Sequence, residues 1–263
     1  MASIFTLRHQ VAAAVTTLLL ITCLSGCAPV EQVLEEARGE TGTSNTVDLT
    51  AMEGDYFTVL GPAQRNYETT PGVIEYCPLD HLERAVCAYG ELTSSLLERE
   101  QAQEREDITI DPAGWPEDND EVDIPALKNV EGSQPYHGWM MNRSHLIADS
   151  LGGAAEVENL VTGTRTQNVG STQVEGQYAG GMAHTELLAR QYLSTQNGDV
   201  CPLYYAATPQ YSGSELVPRT VIVDILSCDG DIDERVEVFN TAAGWEIDYR
   251  DGSYGIARAQ DAP

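Results

Sequence analysis

The chain has 263 residues and sets 41 acidic side chains against 14 Lys and Arg, a formal charge of −27. Apolar residues make up 42% of it, enough for a folded core, which excludes a wholly disordered chain. No polybasic stretch exists and Lys128 is the single lysine, so a generic cationic coat for nucleic acid is excluded and any polyanion must be met at a local site.

Arg8 and His9 precede an apolar run from Val11 to Leu24 that is interrupted by Thr16, Thr17 and Thr22. It is short for a membrane span and suits the apolar region of a signal peptide. The run ends in Leu24-Ser25-Gly26-Cys27, which resembles a bacterial lipobox, whose cysteine is lipidated and becomes the first mature residue. A simple secretory signal cleaved nearby is the alternative. The expectation is a signal peptide over 1–27 and lipidation at Cys27. The protein would be exported and stand at the cell surface, held to the membrane by that anchor.

Residues 28–60 are acidic and rich in Thr, Ser and Gly, and read as a flexible tether ahead of a folded domain over 61–263. Export makes the remaining cysteines informative: Cys77, Cys87, Cys201 and Cys228 favour two disulfides over a zinc site, since no C-x-x-C pair is present. Three pairings are possible. The preferred one joins Cys77 to Cys87 across a short loop and Cys201 to Cys228 between two strand ends. Residues 94–106 have helix-forming composition with Ser94 or Ser95 as N-cap, and Asp111 to Ile124, with Pro112, Pro116 and several acids, reads as a loop. From Pro202 onward, LYYAATPQY, RTVIVDIL, RVEVFN and WEIDYRDG read as strands, with Asn240 to Gly244 as a hairpin connection and Asp229 to Glu234 as a solvated turn.

Tyr136 to Leu193 carries the chemistry. Asn142-Arg143-Ser144-His145 closes an aromatic and apolar run that can be a strand, Gly152-Gly153 breaks the chain, Leu160 to Thr164 can be a second strand, and Arg165-Thr166-Gln167-Asn168 would open a helix. Such a finger brings His145 near Asn168. A neutral imidazole accepts a proton from water near pH 7. An Asn carbonyl is a hard neutral ligand suited to Mg²⁺, and the two together suit hydrolysis of a phosphodiester.

The stretch resembles the DNA/RNA non-specific endonucleases, members of the ββα-metal (His-Me finger) nucleases. The family pattern is an Asp-Arg-Gly-His quartet, a Leu-Gly-Gly loop, an Asn-Leu-Val segment and a metal-binding Asn. This chain offers Asn142-Arg143-Ser144-His145, Leu151-Gly152-Gly153, Asn159-Leu160-Val161 and Asn168. The resemblance implies His145 as general base, Asn168 as protein ligand for Mg²⁺ (with Mn²⁺ or Ca²⁺ as substitutes) and Glu186 as the acid holding a metal-bound water. Arg143 is then a candidate phosphate clamp, unless it pairs with Asp149 or another carboxylate for structure. Arg165 and Asn142 are further substrate contacts. Asn142 stands where the family has Asp and brings no charge, and Ser144 stands where it has Gly. His137 and His184 fit no catalytic slot and read as structural or rim residues.

The expected fold is α+β: the finger packed on a mostly antiparallel sheet with a few helices, in one domain, because so small a finger cannot bury its own apolar face. The expected partners are DNA and RNA without sequence preference and the membrane through Cys27, with no obligate protein partner. Rival readings are an inactive finger that captures DNA at the envelope, and a toxin domain. The acidic balance fits either cations clustered in a groove or adaptation to high salt, where screening shortens to a few ångströms.

Overall fold

The computed structural model describes residues 52–102, 107–195 and 198–258. The signal peptide, Cys27 and most of the tether lie outside the described residues.

Six strands form one antiparallel sheet: β1 (Phe57–Gly61), β2 (Ile74–Tyr76), β3 (Ala88–Leu92), β10 (Leu203–Gln210), β11 (Thr220–Ser227) and β12 (Asp233–Phe239), in the order β1-β12-β11-β10-β3-β2. Near-continuous apolar sequence in β10 and β11 matches their burial on both faces. One face carries Tyr205, Val221, Val223 and Ile225 into a core shared with α1 (Ser94–Gln101) and α3 (Met182–Thr195). Leu146, Ile147 and Val161 of the finger enter that same core, so finger and sheet form one packed body among the described residues. Each fully buried aliphatic side chain there contributes about 1.5–3 kcal/mol. The other face is covered by residues 63–66: Gln64 N donates to Asp224 Oδ1 at 2.7 Å and Asn66 N to the Tyr204 hydroxyl at 3.2 Å.

Four two-stranded ribbons complete the fold. β4 (Glu121–Ile124) pairs with β5 (Tyr136–Trp139), β6 (Met141–His145) with β7 (Leu160–Thr164), β8 (Gln173–Val174) with β9 (Gln177–Tyr178), and β13 (Trp245–Ile247) with β14 (Tyr254–Ile256). Helix α2 is the five-residue segment Arg165–Val169. Both disulfides join strand ends: Cys77–Cys87 links β2 to β3 and Cys201–Cys228 links β10 to β11, the pairing preferred from sequence.

Five local expectations change. The folded body begins before residue 61: Asp55 and Tyr56 are buried and Phe57 opens β1 on the sheet edge, because Asp55 has polar partners far along the chain. The N-cap of α1 is Thr93, whose Oγ1 accepts from Leu96 N at 3.2 Å, one residue ahead of the serines. The end of the acidic loop is strand β4, since Val122 and Ile124 alternate into a second core around Tyr56, Met140 and Tyr249. Asn240 to Gly244 passes from the main sheet to the separate β13–β14 ribbon, so it is a crossover between sheets. In WEIDYRDG only Trp245–Ile247 is strand; Asp248 accepts from Arg250 N and Gly252 N bonds the Asp248 carbonyl, turning the chain. The expected turn is formed by Asp229 to Ile232, with Asp229 Oδ1 accepting from Ser227 Oγ at 2.6 Å, while Asp233 and Glu234 already belong to β12.

Candidate active site

β6, β7 and α2 make the strand–strand–helix finger. The two strands are antiparallel, with His145 opposite Leu160 and Asn142 opposite Gly163. The 14-residue connection between them is pinned by Asn159, which is fully buried. Its Oδ1 accepts from Ile147 N at 2.9 Å and its Nδ2 donates to the carbonyls of Ile147 and Ala154, both at 2.9 Å. One amide thus replaces the ladder that the loop cannot form.

Helix α2 folds back on the strands because Gly163 leaves room. A Cβ there would lie 2.1 Å from Gln167 Oε1 and 2.8 Å from Ser144 Cβ. Thr164 caps the helix, accepting from Gln167 N at 3.0 Å. The junction is tied to the sheet through Asn240, which accepts from Thr164 N at 2.8 Å and donates to the carbonyls of Thr162 and Pro218. Thr164 and Thr166 hydroxyls both donate to the Thr241 carbonyl. After the helix, the buried Asp55 carboxylate accepts from Ser171 N and Oγ, both at 2.6 Å, and from Thr172 N and Oγ1 at 2.7 and 2.8 Å. A side chain at Gly180 would put its Cβ 2.0 Å from Asp55 Oδ2, so the chain can pass this knot only as glycine.

The finger brings together most of the residues singled out from sequence. His145 closes β6 and is 8% exposed. Ser144 is fully buried and its Oγ donates to Asn168 Oδ1 at 3.1 Å, so the residue that departs from the family's Gly orients the expected metal ligand. Asn142 Oδ1 is buried and has no hydrogen-bond partner among the described residues. α2 packs against β6, β7 and α3, which sets the Asn168 helix beside the helix that carries Glu186. Burial pushes the Tyr205 phenol well up, and the nearby Glu186 carboxylate adds to the shift.

The arginines divide. Arg143 Nε donates to Asp111 Oδ1 at 2.8 Å, and the guanidinium lies 4.4 Å from the Trp115 ring centroid. Its carboxylate partner is therefore Asp111 in the acidic loop, not Asp149. Arg165 instead lies 4.7 Å from the Tyr136 centroid and 4.6 Å from that of Tyr178, with Nη1 buried and without a hydrogen-bond partner among the described residues. Arg190 was not singled out from sequence. Its Nη1 is 3.6 Å from Glu186 Oε2 and 3.2 Å from Ser150 Oγ, joining α3 to the finger's loop; the i,i+4 spacing from Glu186 was the available signal. Asp55 and Asn240 carried no such signal. His137 pairs with Asp123 at 2.9 Å on the exposed β4–β5 ribbon, and His184 stacks on Phe57 at 3.8 Å.

Among the described residues no three His, Cys, Asp or Glu side chains converge on a metal position. A cation held by Asn168 alone would meet one neutral oxygen and keep most of its water. That donor set fits Mg²⁺, which dehydrates reluctantly and takes few protein ligands, better than a thiolate- or imidazole-rich site.

Comparison with known proteins agrees with this geometry. Residues 64–228 match the DNA/RNA non-specific endonuclease family. The chain is 32% identical over 260 residues to a deoxyribonuclease of Streptococcus dysgalactiae subsp. equisimilis, covering 81% of this chain and 77% of that protein. Its fold is similar to the solved structure of Sda1 nuclease with bound zinc ion, with TM-score 0.67, 30% identity, and coverage of 81% of this chain and 100% of that one. The magnesium-bound structure of NucA from Streptococcus agalactiae shares the fold with TM-score 0.53 at 23% identity, over 74% of this chain and 84% of that one.

Proposed function

The chain belongs to the DNA/RNA non-specific endonuclease family and is a nuclease; on that premise we propose that it hydrolyses DNA and RNA phosphodiesters with His145 as general base and Asn168 as the protein's metal ligand. The observation that carries the reading is the finger itself. β6 delivers His145, and α2 returns Asn168 against Ser144 of the same strand.

In this reading the neutral His145 imidazole takes the proton of a water as that water attacks phosphorus. The bond to the 3′ oxygen breaks and that oxygen takes a proton from a neighbouring water, leaving a 5′-phosphate and a 3′-hydroxyl. A divalent cation, Mg²⁺ by the donor chemistry and with Mn²⁺ or Ca²⁺ as substitutes, would be held by Asn168 Oδ1 with Glu186 holding a water of its shell, and would offset charge on the phosphoryl and leaving oxygens. Ser144 keeps Asn168 in one orientation. Arg190 keeps the Glu186 carboxylate in place. Asn142, Arg143 and Arg165 contact the strand, and Arg143 must release Asp111 to do so. No base is read, since the described elements present no recognition helix for a groove.

Among the described residues eight arginines are each ion-paired with a carboxylate, so most of the cationic charge there is locally neutralised. With a net charge of −27 and a single lysine, this supports activity in high salt, where the acidic surface is screened. An activity optimum at low salt with steep loss near molar NaCl would sink that part. The two disulfides fit an exported protein, anchored through Cys27.

The test is degradation of plasmid and RNA by residues 27–263 carrying Cys27→Ser, with Mg²⁺ and with EDTA, beside His145→Ala. Mg²⁺-dependent cleavage that disappears in the His145 variant is expected. Intact nucleic acid at every salt, from folded and oxidised protein, would refute the reading in favour of a binding module.

A further inference from the structure

Arg165 differs from the other cations around the finger. It has no carboxylate partner among the described residues, whereas Arg143 is held by Asp111 and Arg190 by Glu186. Its guanidinium is held by two aromatic rings, Tyr136 from β5 and Tyr178 from β9. One of its guanidinium nitrogens is buried without an acceptor among the described residues, so an anionic ligand entering beside it would supply the hydrogen bond that the protein does not.

The surroundings specify that ligand. Arg165 lines a cleft with Gln134, Tyr136, Ser171, Gln173 and Tyr178, and no acidic side chain contributes to its wall. On a chain of charge −27, a cleft walled by one arginine, two glutamines, a serine and two tyrosines is a local exception to a repulsive surface. Tyr178 is 42% exposed, so part of its ring is open to a second stacking partner. The tight turn between β8 and β9 is formed by Glu175 and Gly176 at φ 51° and 79°, a two-residue connection that fixes where Tyr178 sits over Arg165. Arg165 and Asn168 are three residues apart on α2, so the cleft and the expected metal ligand share one side of that helix.

We propose that this cleft is the subsite for a nucleotide of the substrate strand next to the scissile phosphate, with Arg165 taking that nucleotide's phosphate and the exposed face of Tyr178 stacking its base. The assignment rests on the nuclease reading and adds strand-binding residues to it. Stacking on a ring is indifferent to base identity, because every base has a π-face, so the subsite holds the strand without selecting sequence. Tyr136 is a positioning residue. It keeps the guanidinium planar to the cleft and leaves the exposed stacking face to Tyr178.

The experiment uses the mature chain and a fluorescein-labelled single-stranded oligonucleotide of mixed sequence. Binding is read by anisotropy in EDTA, and cleavage of the same oligonucleotide is read as kcat and KM with Mg²⁺. Tyr178→Ala is expected to weaken binding about tenfold and to raise KM by a similar factor, the scale of one lost base stack. Tyr178→Phe, which keeps the ring, should restore both. Arg165→Gln should lower the slope of log affinity against log salt by about one phosphate contact. Two results overturn the proposal while leaving the nuclease reading standing: variants that bind and cleave as the parent does, or a loss confined to kcat, which would place Arg165 on the chemistry. A parent chain that neither binds nor cleaves overturns both.

Discussion

Removal of the Asp55 carboxylate tests the account of how the finger is held. The group is 3% exposed and accepts four hydrogen bonds within 2.8 Å, two from the backbone N–H groups of Ser171 and Thr172 and two from their hydroxyls. Its backbone carbonyl also accepts from Gly181 N at 2.8 Å, at the entry to α3. In Asp55→Ala the Ser171 hydroxyl keeps its partner Ser133 Oγ at 2.7 Å, but the two part-buried backbone donors and the Thr172 hydroxyl lose theirs. Each such backbone donor costs about 1–3 kcal/mol, so the two together cost about 4 kcal/mol. For a domain of this size that is a drop in Tm of roughly 8–16 °C. Asp55→Asn keeps one acceptor and should lose about half as much. Urea denaturation followed by fluorescence and by far-ultraviolet circular dichroism, with coincident transitions, measures it. A loss below about 1 kcal/mol in Asp55→Ala would show that the knot is dispensable and refute the reasoning. The same logic predicts that a chain truncated to begin at Gly61 does not fold, since it lacks Asp55, Tyr56 and most of β1.

Ser144→Ala removes the donor to Asn168 Oδ1 and should raise the Mg²⁺ concentration for half-maximal cleavage by about tenfold with little change in stability; an unchanged metal requirement would mean that α2 alone orients the ligand. Replacing Cys201 and Cys228 by alanine opens a 27-residue separation and should cost about 3.5 kcal/mol by loop entropy, against about 2.7 kcal/mol for Cys77 and Cys87 at a separation of 10, both read from denaturation midpoints. Burial lowers the pKa of His184 and outweighs the opposing pull of Glu234 at 3.6 Å on β12. The unfolded chain therefore takes up this proton more readily, and the contribution of His184 is complete above the ordinary histidine pKa and is lost as pH falls below it. His184→Gln should flatten the stability profile between pH 7 and pH 5, and an unchanged slope would assign the effect elsewhere.

The finger was legible because its information is local. Apart from Glu186 on α3, the side chains expected to act lie on strand β6 and helix α2, and Gly163, Thr164 and Asn168 are close enough in sequence for spacing alone to imply the return of α2 onto β6. Both disulfides could be paired because each joins neighbouring strands, and the strands after Pro202 announced themselves by unbroken apolar runs. The boundary at residue 61 failed for the opposite reason. Acidic, Thr-rich composition marks a tether, yet Asp55 meets Ser171 and Thr172 more than a hundred residues away, and a carboxylate destined for burial reads the same in sequence as one left in water. Asn240, which fixes the β7–α2 junction, and the Tyr136–Arg165–Tyr178 stack were hidden in the same way. Periodicity reports which face of an element is apolar, whereas a polar group's partner is set by where the packed elements come to rest. In this protein the residues proposed to react follow from the order of the chain, and the hydrogen bonds that hold them in place exist only once distant segments have docked.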